Sequence, residues 1–536
     1  MKNSFIRGTF FLTLSSLITK ILGFVYIIPF TALVGTSGYA LYKYAYSPYT
    51  FMLSISTMGL PLAVSKFVSK YNGLGNYRAG QDLLKFGIFL MTITGCLSFI
   101  VLYSLAPFLS SFVITGKSTG GNSQEDVIYV IRLVSFALII IPPMSLLRGY
   151  FQGNQSMGPS ALSTILEQVV RVIFIVVGAY IVVDLLNHEV TEAVGVGTFG
   201  AFIGGLGGLS VLVFTYTKRR KLIEQQVKES KNNEKVASLV MFKELISYAI
   251  PFVLVGLAIP IYQNIDTFTI NSLFQSIGYS LSQAENINSV IGLSQVLVMV
   301  PVSLATAFGM SLIPGITSSY VKGHLEEVKE KISKTLQVLM FFTLPTAIGL
   351  CILGKPVYTM IFGINNSPDL GGHILSWYAP MAILFALFTV TAAILQGLNK
   401  QKKLIVGMFI GIVVKVILNF AFLLPFKEIS PILATYGGYL VSVLYNFYLI
   451  KKAIHYSVKS LVHSLSFASL LVAIMAIFVA LSNYLVTTYI GGHVTIYHLA
   501  IISSLVSVLC GALVYISMSM KTPLFKELVQ KRRHAS

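Results

Sequence analysis

Residues 150–174 read "YFQGNQSMGPSALSTILEQVVRVIF", and residues 393–418 read "AILQGLNKQKKLIVGMFIGIVVKVIL". Gln152 aligns with Gln396, Gly153 with Gly397 and "VVRVI" with "VVKVI", all at an offset of 244. A second echo, "GLPLAVS" (59–65) against "MVPVSLA" (299–305), sets Pro61 against Pro301 at an offset of 240. Two near-equal offsets in chain order point to an internal duplication.

The duplicated material is membrane-grade. Of 536 residues, 55% are hydrophobic and only 11% charged, and the mean hydropathy is +0.80, beyond the range of soluble domains. Apolar runs of roughly 20 residues, enough to cross a bilayer, recur almost to the C-terminus. They predict fourteen helices: 9–34, 43–70, 82–113, 126–151, 160–184, 195–217, 243–273, 281–316, 325–353, 371–397, 401–425, 432–456, 459–487 and 494–520. The N-terminal run passes Lys20 without a small-residue cleavage site, so it reads as a retained first helix.

The fold expected is an all-α polytopic membrane protein with two six-helix lobes and two C-terminal helices. The segments are an N-terminal lobe at 1–217, a linker at 218–242, a C-terminal lobe at 243–456, a helix pair at 457–520 and a basic tail at 521–536. Six helices return a chain to its starting side, so the lobes read as parallel repeats, a plan that keeps the substrate path at the repeat interface.

Lysine and arginine orient the chain. "KRRK" (218–221), the 322–334 hairpin, "KQKK" (400–403), Lys451, Lys452 and "KRR" (531–533) fall in alternate loops, while the intervening loops are nearly free of them. The positive-inside rule then puts both termini in the cytoplasm. Topology and contact with anionic membrane lipids account for most of the formal charge of +19, so nucleic acid is not an expected partner.

The chain carries no HExxH, no Walker A sequence and only three isolated cysteines, Cys96, Cys351 and Cys510. No catalytic residue, metal or bound cofactor is expected, and the chain reads as a transporter rather than an enzyme. A membrane transferase or phosphatase would need clustered carboxylates or histidines at a membrane face.

Charges inside the apolar runs are costly, about 2.5–3.5 kcal/mol each at the bilayer centre on insertion scales. They are Lys20, Lys66, Arg132, Glu167, Arg171, Asp266 and Lys415. Arg132 and Lys66 suit snorkelling to the outer and inner interfaces. Glu167 and Arg171, four residues apart, either neutralise each other on one helix face or form one half of a basic site. The repeat favours the second reading, because Arg171 aligns with Lys415 whereas Glu167 aligns with Gly411. Leaving Arg132 aside, four cations face two carboxylates. A positively lined cavity suits an anionic substrate, phosphate or diphosphate above all, and argues against a cation antiporter. Asn264 and Asp266, with Asn419 as a candidate partner, offer oxygen ligands or a proton site for a coupling ion; a buried hydrogen-bonded aspartate is the alternative.

"RGTFFLTLSSLITKILGFVYIIPFTALVG", "STMGLPLAVSKFVSKYN", "VIRLVSFALIIIPPMSLLRGYFQGNQSMGPSALSTILEQVVRVIF" and "VPVSLATAFGMSLIPGITSSY" resemble the YtgP/SpoVB branch of the multidrug, oligosaccharidyl-lipid and polysaccharide exporter (MOP) superfamily, over essentially the whole chain. Within it the chain is similar to the Gram-positive MurJ-type flippases. The resemblance implies a bacterial cytoplasmic-membrane protein that moves lipid II, the undecaprenyl-diphosphate-linked peptidoglycan precursor, to the outer leaflet by alternating access. It also implies a groove for the lipid tail near the last two helices and a cell-wall synthesis context.

Carried over residue by residue, Lys20 in "TKILGF" matches a basic cavity position. Tyr26, Leu53 and Gln295 stand where Gram-negative members have arginines. Arg171 and Lys415, with Lys66, are then the residues expected to supply the missing charge. Energy from the membrane potential, a proton or Na+ at Asp266, or none, stays open. So does a different undecaprenyl-linked glycan of spore cortex, teichoic acid or capsule.

Overall fold

The computed structural model describes residues 2–57, 59–114, 120–230, 253, 256–457 and 459–520. All regular structure among them is helical. The chain packs as two compact units, Met1–Glu285 and Asn286–Ser536.

The first unit holds α1 (Lys2–Val25), α2 (Ile27–Thr57), α3 (Leu60–Gly73), α4 (Tyr77–Val113), α5 (Gln124–Ser135), α6 (Ala137–Gly153), α7 (Met157–Tyr180), α8 (Val190–Lys218), α9 (Arg220–Lys228) and α10 (Ala258–Ser276). A π-helical turn, Ile181–Leu185, extends α7. The second unit begins inside α11 (Leu281–Val321) and continues with α12 (Leu325–Ile352), α13 (Gly354–Phe362), α14 (Pro368–Tyr378), α15 (Met381–Gly397), α16 (Gln401–Ala421), α17 (Leu423–Phe426), α18 (Ser430–Ile454), α19 (Lys459–Ile490) and α20 (Ile496–Ser519).

Among the described residues eleven helices are long and apolar enough to span a membrane, or twelve if the bent pair α14 and α15 forms one span. The expected fourteen is not reached, and two places account for the difference. Leu14–Thr57 counts as one stretch although Gly35 breaks it, with φ 67 and ψ −172. That backbone geometry lies in a region open essentially to glycine. The other place is the start of the expected helix at 243–273, where 243–252 lie outside the described residues. The span expected at 43–70 is itself interrupted, because Gly59 caps α3 in a left-handed conformation and Pro61 sits in the first turn.

The duplication is visible in the backbone. α5, α6 and α7 start at 124, 137 and 157; α14, α15 and α16 start at 368, 381 and 401, each shifted by 244. The turn before α7 and its counterpart before α16 carry the same three hydrogen bonds. Amides 154, 155 and 156 donate to carbonyls 150, 152 and 151, and amides 398, 399 and 400 donate to carbonyls 394, 396 and 395. Gln155 and Asn399, again 244 apart, both sit at φ 56. The α14 to α15 junction, at Pro380, bends by 43°.

In the first unit α7 packs along α8 and α1, α6 on α3 and α4, and α5 on α2 and α8. Although the repeat count gives α10 to the second lobe, it packs on α2 and α4 of the first unit. Its Asn271 amide donates to the Tyr44 hydroxyl (2.8 Å) and the Val113 carbonyl (3.0 Å). At the start of α11, buried Glu285 accepts from the Asn122 backbone and side-chain amides, both at 3.0 Å. In the second unit α16 packs on α18, and the terminal helices α19 and α20 pack on α12 and α13. The Tyr515 hydroxyl of α20 donates to the Phe341 carbonyl at 2.8 Å.

Candidate functional site: a cationic cluster in the first unit

The site forms where α6, α7 and α8 meet. On α7, Ser163, Glu167 and Arg171 recur at helical spacing and share a face. Glu167 Oε1 accepts from Arg171 Nη2 at 2.7 Å and Oε2 from Arg148 Nη2 at 2.8 Å. All three side chains are mostly enclosed, 13–17% exposed. Arg148 is held from behind, since its Nε and Nη2 donate to the Ser163 hydroxyl at 3.1 and 2.8 Å. That hydroxyl donates onward to the Gly208 carbonyl at 2.8 Å.

One carboxylate thus serves two guanidiniums, and the cluster keeps one net positive charge inside membrane-spanning helices. The Arg171 Nε is buried and has no hydrogen-bond partner among the described residues. A buried donor left unsatisfied carries a desolvation cost that an incoming acceptor removes.

Close helix approach makes this geometry available. A Cβ at Gly204 of α8 would stand 2.8 Å from both the Arg171 Cβ and the Glu167 carbonyl oxygen, and one at Gly208 would stand 3.1 Å from Arg148 Nη2. The GxxxG run of α8 therefore seats the backbone against the charged turn of α7.

Opposite lies a tyrosine face. Tyr39, Tyr42, Tyr46 and Tyr49 follow one another along α2 at spacings of three and four, and Tyr42 stacks on Tyr46 with centroids 4.6 Å apart. The Tyr26 and Tyr42 hydroxyls are 2.8 Å apart. Tyr42, Tyr46 and Tyr49 lie within electrostatic range of Arg171, and the buried Tyr49 hydroxyl has no hydrogen-bond partner among the described residues. An unused phenol donor beside a guanidinium suits an anionic oxygen.

The sequence-derived residues distribute unevenly. Glu167, Arg171 and Tyr26 join this neighbourhood. Lys20 lies on α1, which packs on α7, but its side chain is exposed; Lys66 on α3 is exposed as well. In the second unit Gln295 is half-buried on α11, and Lys415 is fully buried on α16, donating to the Thr435 hydroxyl at 2.5 Å. Asp266 is buried on α10. Neighbouring Asn264 donates to the Ser47 carbonyl at 3.1 Å and the Pro260 carbonyl at 2.7 Å, so its amide ties α10 to α2. Asn419 is buried in the second unit. Among the described residues no three His, Cys, Asp or Glu side chains are placed to hold a metal ion.

Sequence reasoning missed Arg148, so the tally of interior cations was one short. It reads as a helix edge because Gly153 ends α6 five residues later. The usable signal was depth: α6 and α7 flank the short turn at 154–156, and an arginine before it can meet a carboxylate after it. The tyrosine spacing was legible and was not used.

Two family models match the chain, "Polysaccharide biosynthesis protein" over residues 5–320 and "Lipid II flippase MurJ" over residues 173–503. The lipid II flippase MurJ of Bacillus subtilis (strain 168) is 44% identical over 492 residues, covering 92% of this chain and 90% of that protein. A solved structure of lipid II flippase MurJ in an inward closed conformation superposes with a TM-score of 0.65 at 15% identity, covering 97% of this chain and 99% of that one. An inward-facing multidrug resistance MATE family transporter of the MOP superfamily gives 0.60 at 13% identity, covering 81% and 98%. At these identities the superpositions speak for the fold alone.

Proposed function

The chain belongs to the lipid II flippase MurJ family, and from that premise we propose that it carries lipid II from the inner to the outer leaflet of the cytoplasmic membrane by alternating access. The observation that carries the reading is the cluster of Arg148, Glu167 and Arg171. It is a membrane-embedded centre with one surplus positive charge and an unsatisfied guanidinium Nε. In this proposal Arg171 takes a phosphate oxygen of the undecaprenyl diphosphate and the tyrosine face takes others. Arg148 holds Glu167 so that the carboxylate does not cancel both cations.

Lys20 and Lys66 attract the anionic head group on its way in, and Tyr26 and Gln295 are polar neighbours of its path. Lys415, at the position equivalent to Arg171, supplies the second half of the basic site. Both termini are cytoplasmic in this proposal. The membrane potential acting on the charged groups drives transport, and a proton or Na+ at Asp266 is the competing source, with Asn264 and Asn419 as its polar partners. Cell-wall synthesis enzymes are the partners expected next to it.

The match to the polysaccharide biosynthesis model over residues 5–320 favours one second reading, a different undecaprenyl-linked glycan as cargo. The test of both is outer-leaflet exposure of lipid II in cells depleted of this protein, rescued by wild type, Arg171→Gln or Lys415→Gln at matched expression. Loss on depletion, restored by wild type and not by Arg171→Gln, supports lipid II and the cluster together. Unchanged exposure in a strain without another flippase sinks lipid II and leaves the other glycans.

A further inference from the structure

Arg132 lies outside the cluster just described. It sits in the last turn of α5, its guanidinium carbon 4.8 Å from the centre of the Tyr103 ring on α4. Its Nε is buried with no hydrogen-bond partner among the described residues. The residue as a whole is half-buried and lines a cleft, while the Nε is enclosed. That cleft holds about 510 Å³, and its lining includes Tyr103, Tyr129, Phe136 and Glu125. That size falls within the range of small-ligand sites, roughly 300–1,000 Å³.

The cleft is graded. Tyr103 and Phe136 form its aromatic wall, their centroids 6.5 Å apart, and Phe99 packs against Phe136 at 5.0 Å. Tyr129 and Glu125 are exposed at the mouth, and Glu192 lies within electrostatic range of Tyr129. Side chains on a helix lean toward its N-terminus, so Arg132 leans toward Glu125, which stands two turns nearer the helix start. The cleft therefore offers one cation inside, one carboxylate at the mouth and an apolar wall. A purely anionic ligand would meet the Glu125 carboxylate; a neutral apolar one would leave the guanidinium donor unsatisfied.

We infer that this cleft binds the head group of a zwitterionic phospholipid, with the phosphate on the Arg132 guanidinium, the ammonium toward Glu125 and the acyl chains along the aromatic wall. The assignment needs no transport activity and stands apart from the flippase reading.

Native mass spectrometry of the full chain in detergent, with phosphatidylethanolamine, phosphatidylglycerol or diacylglycerol added singly, tests it. Wild type retains phosphatidylethanolamine over the other two. Arg132→Gln lowers that retention about tenfold, the loss of one charge-assisted hydrogen bond. Glu125→Gln, at an exposed position that folding tolerates, keeps phospholipid binding but erases the preference for ethanolamine over glycerol. Equal retention by wild type and Arg132→Gln overturns the site, and so does an unchanged preference in Glu125→Gln. Complete displacement of the lipid by millimolar inorganic phosphate overturns the lipid assignment in favour of a free-phosphate site.

Discussion

Arg171 and Lys415 occupy the same place in the two halves of the duplication, yet the halves treat their cation in opposite ways. Arg171 shares a carboxylate with Arg148, is 15% exposed and has one unsatisfied nitrogen. Lys415 is sealed at 0% exposure against the hydroxyl of Thr435. Duplication preserved the position and the sign of charge, while the surroundings diverged. Guanidinium geometry suits an arrangement that serves a carboxylate and an incoming oxygen at once, whereas an ammonium is a point charge without that fork.

The comparison breaks hardest at Glu167. Glu167→Gln leaves two buried guanidiniums facing each other without a counter-charge, and the expected loss is about 3–5 kcal/mol of stability. Thermal unfolding in detergent measures it, and Arg148→Gln added to Glu167→Gln should recover part of the loss. A melting curve unchanged by Glu167→Gln would mean that the cluster is solvated and that the contrast with Lys415 is false.

Arg171→Gln comes next. Arg148 still satisfies Glu167, so folding is retained while lipid II exposure falls about tenfold or more, the effect of losing a charged hydrogen bond of roughly 1.5–3 kcal/mol. Gly204→Ala forces a methyl group against the charged turn of α7, and overpacking of this kind costs about 1–3 kcal/mol. Cysteine cross-linking between α7 and α8 should then weaken as the helices separate. The smallest effect belongs to Lys415→Met. Replacing the buried ammonium by an apolar side chain of similar volume removes its desolvation cost together with its hydrogen bond to Thr435, and leaves stability about equal. Transport should drop less than in Arg171→Gln; equal losses in the two variants would make the halves functionally equivalent.

The fold was largely readable because its signals are local and repeated. Apolar runs gave the spans, and "VVRVI" with "VVKVI" gave a register that the helix starts at 124, 137 and 157 reproduce at 368, 381 and 401. The break at Gly35 falls directly after the expected span 9–34, whereas the interruption at Gly59, inside the expected span 43–70, was harder, since a single left-handed glycine ends a helix within an apolar run. The site was half legible. Glu167 and Arg171 declare themselves by being charged in an apolar helix, but Arg148 is recognised only once α6 is folded against α7. Burial was only partly legible: Lys66, suited to snorkelling, is exposed, but Lys20 and Lys415 look alike in the sequence, and the first is exposed while the second is enclosed. Which flank of a helix meets a neighbour depends on tertiary packing, which composition does not encode.

The bond between Asn122 and Glu285 has a consequence in heredity. Both Glu285 oxygens accept from one residue 163 positions away, one from its backbone and one from its side chain, so a change at Glu285 disturbs both bonds and a change at Asn122 disturbs one. Glu285→Gln can turn an amide donor toward the donors of Asn122, and Asn122→Asp would set two carboxylates together. Selection should therefore see the two codons as one inherited character, and a defect at one of them should be suppressed most readily by a compensating change at the other.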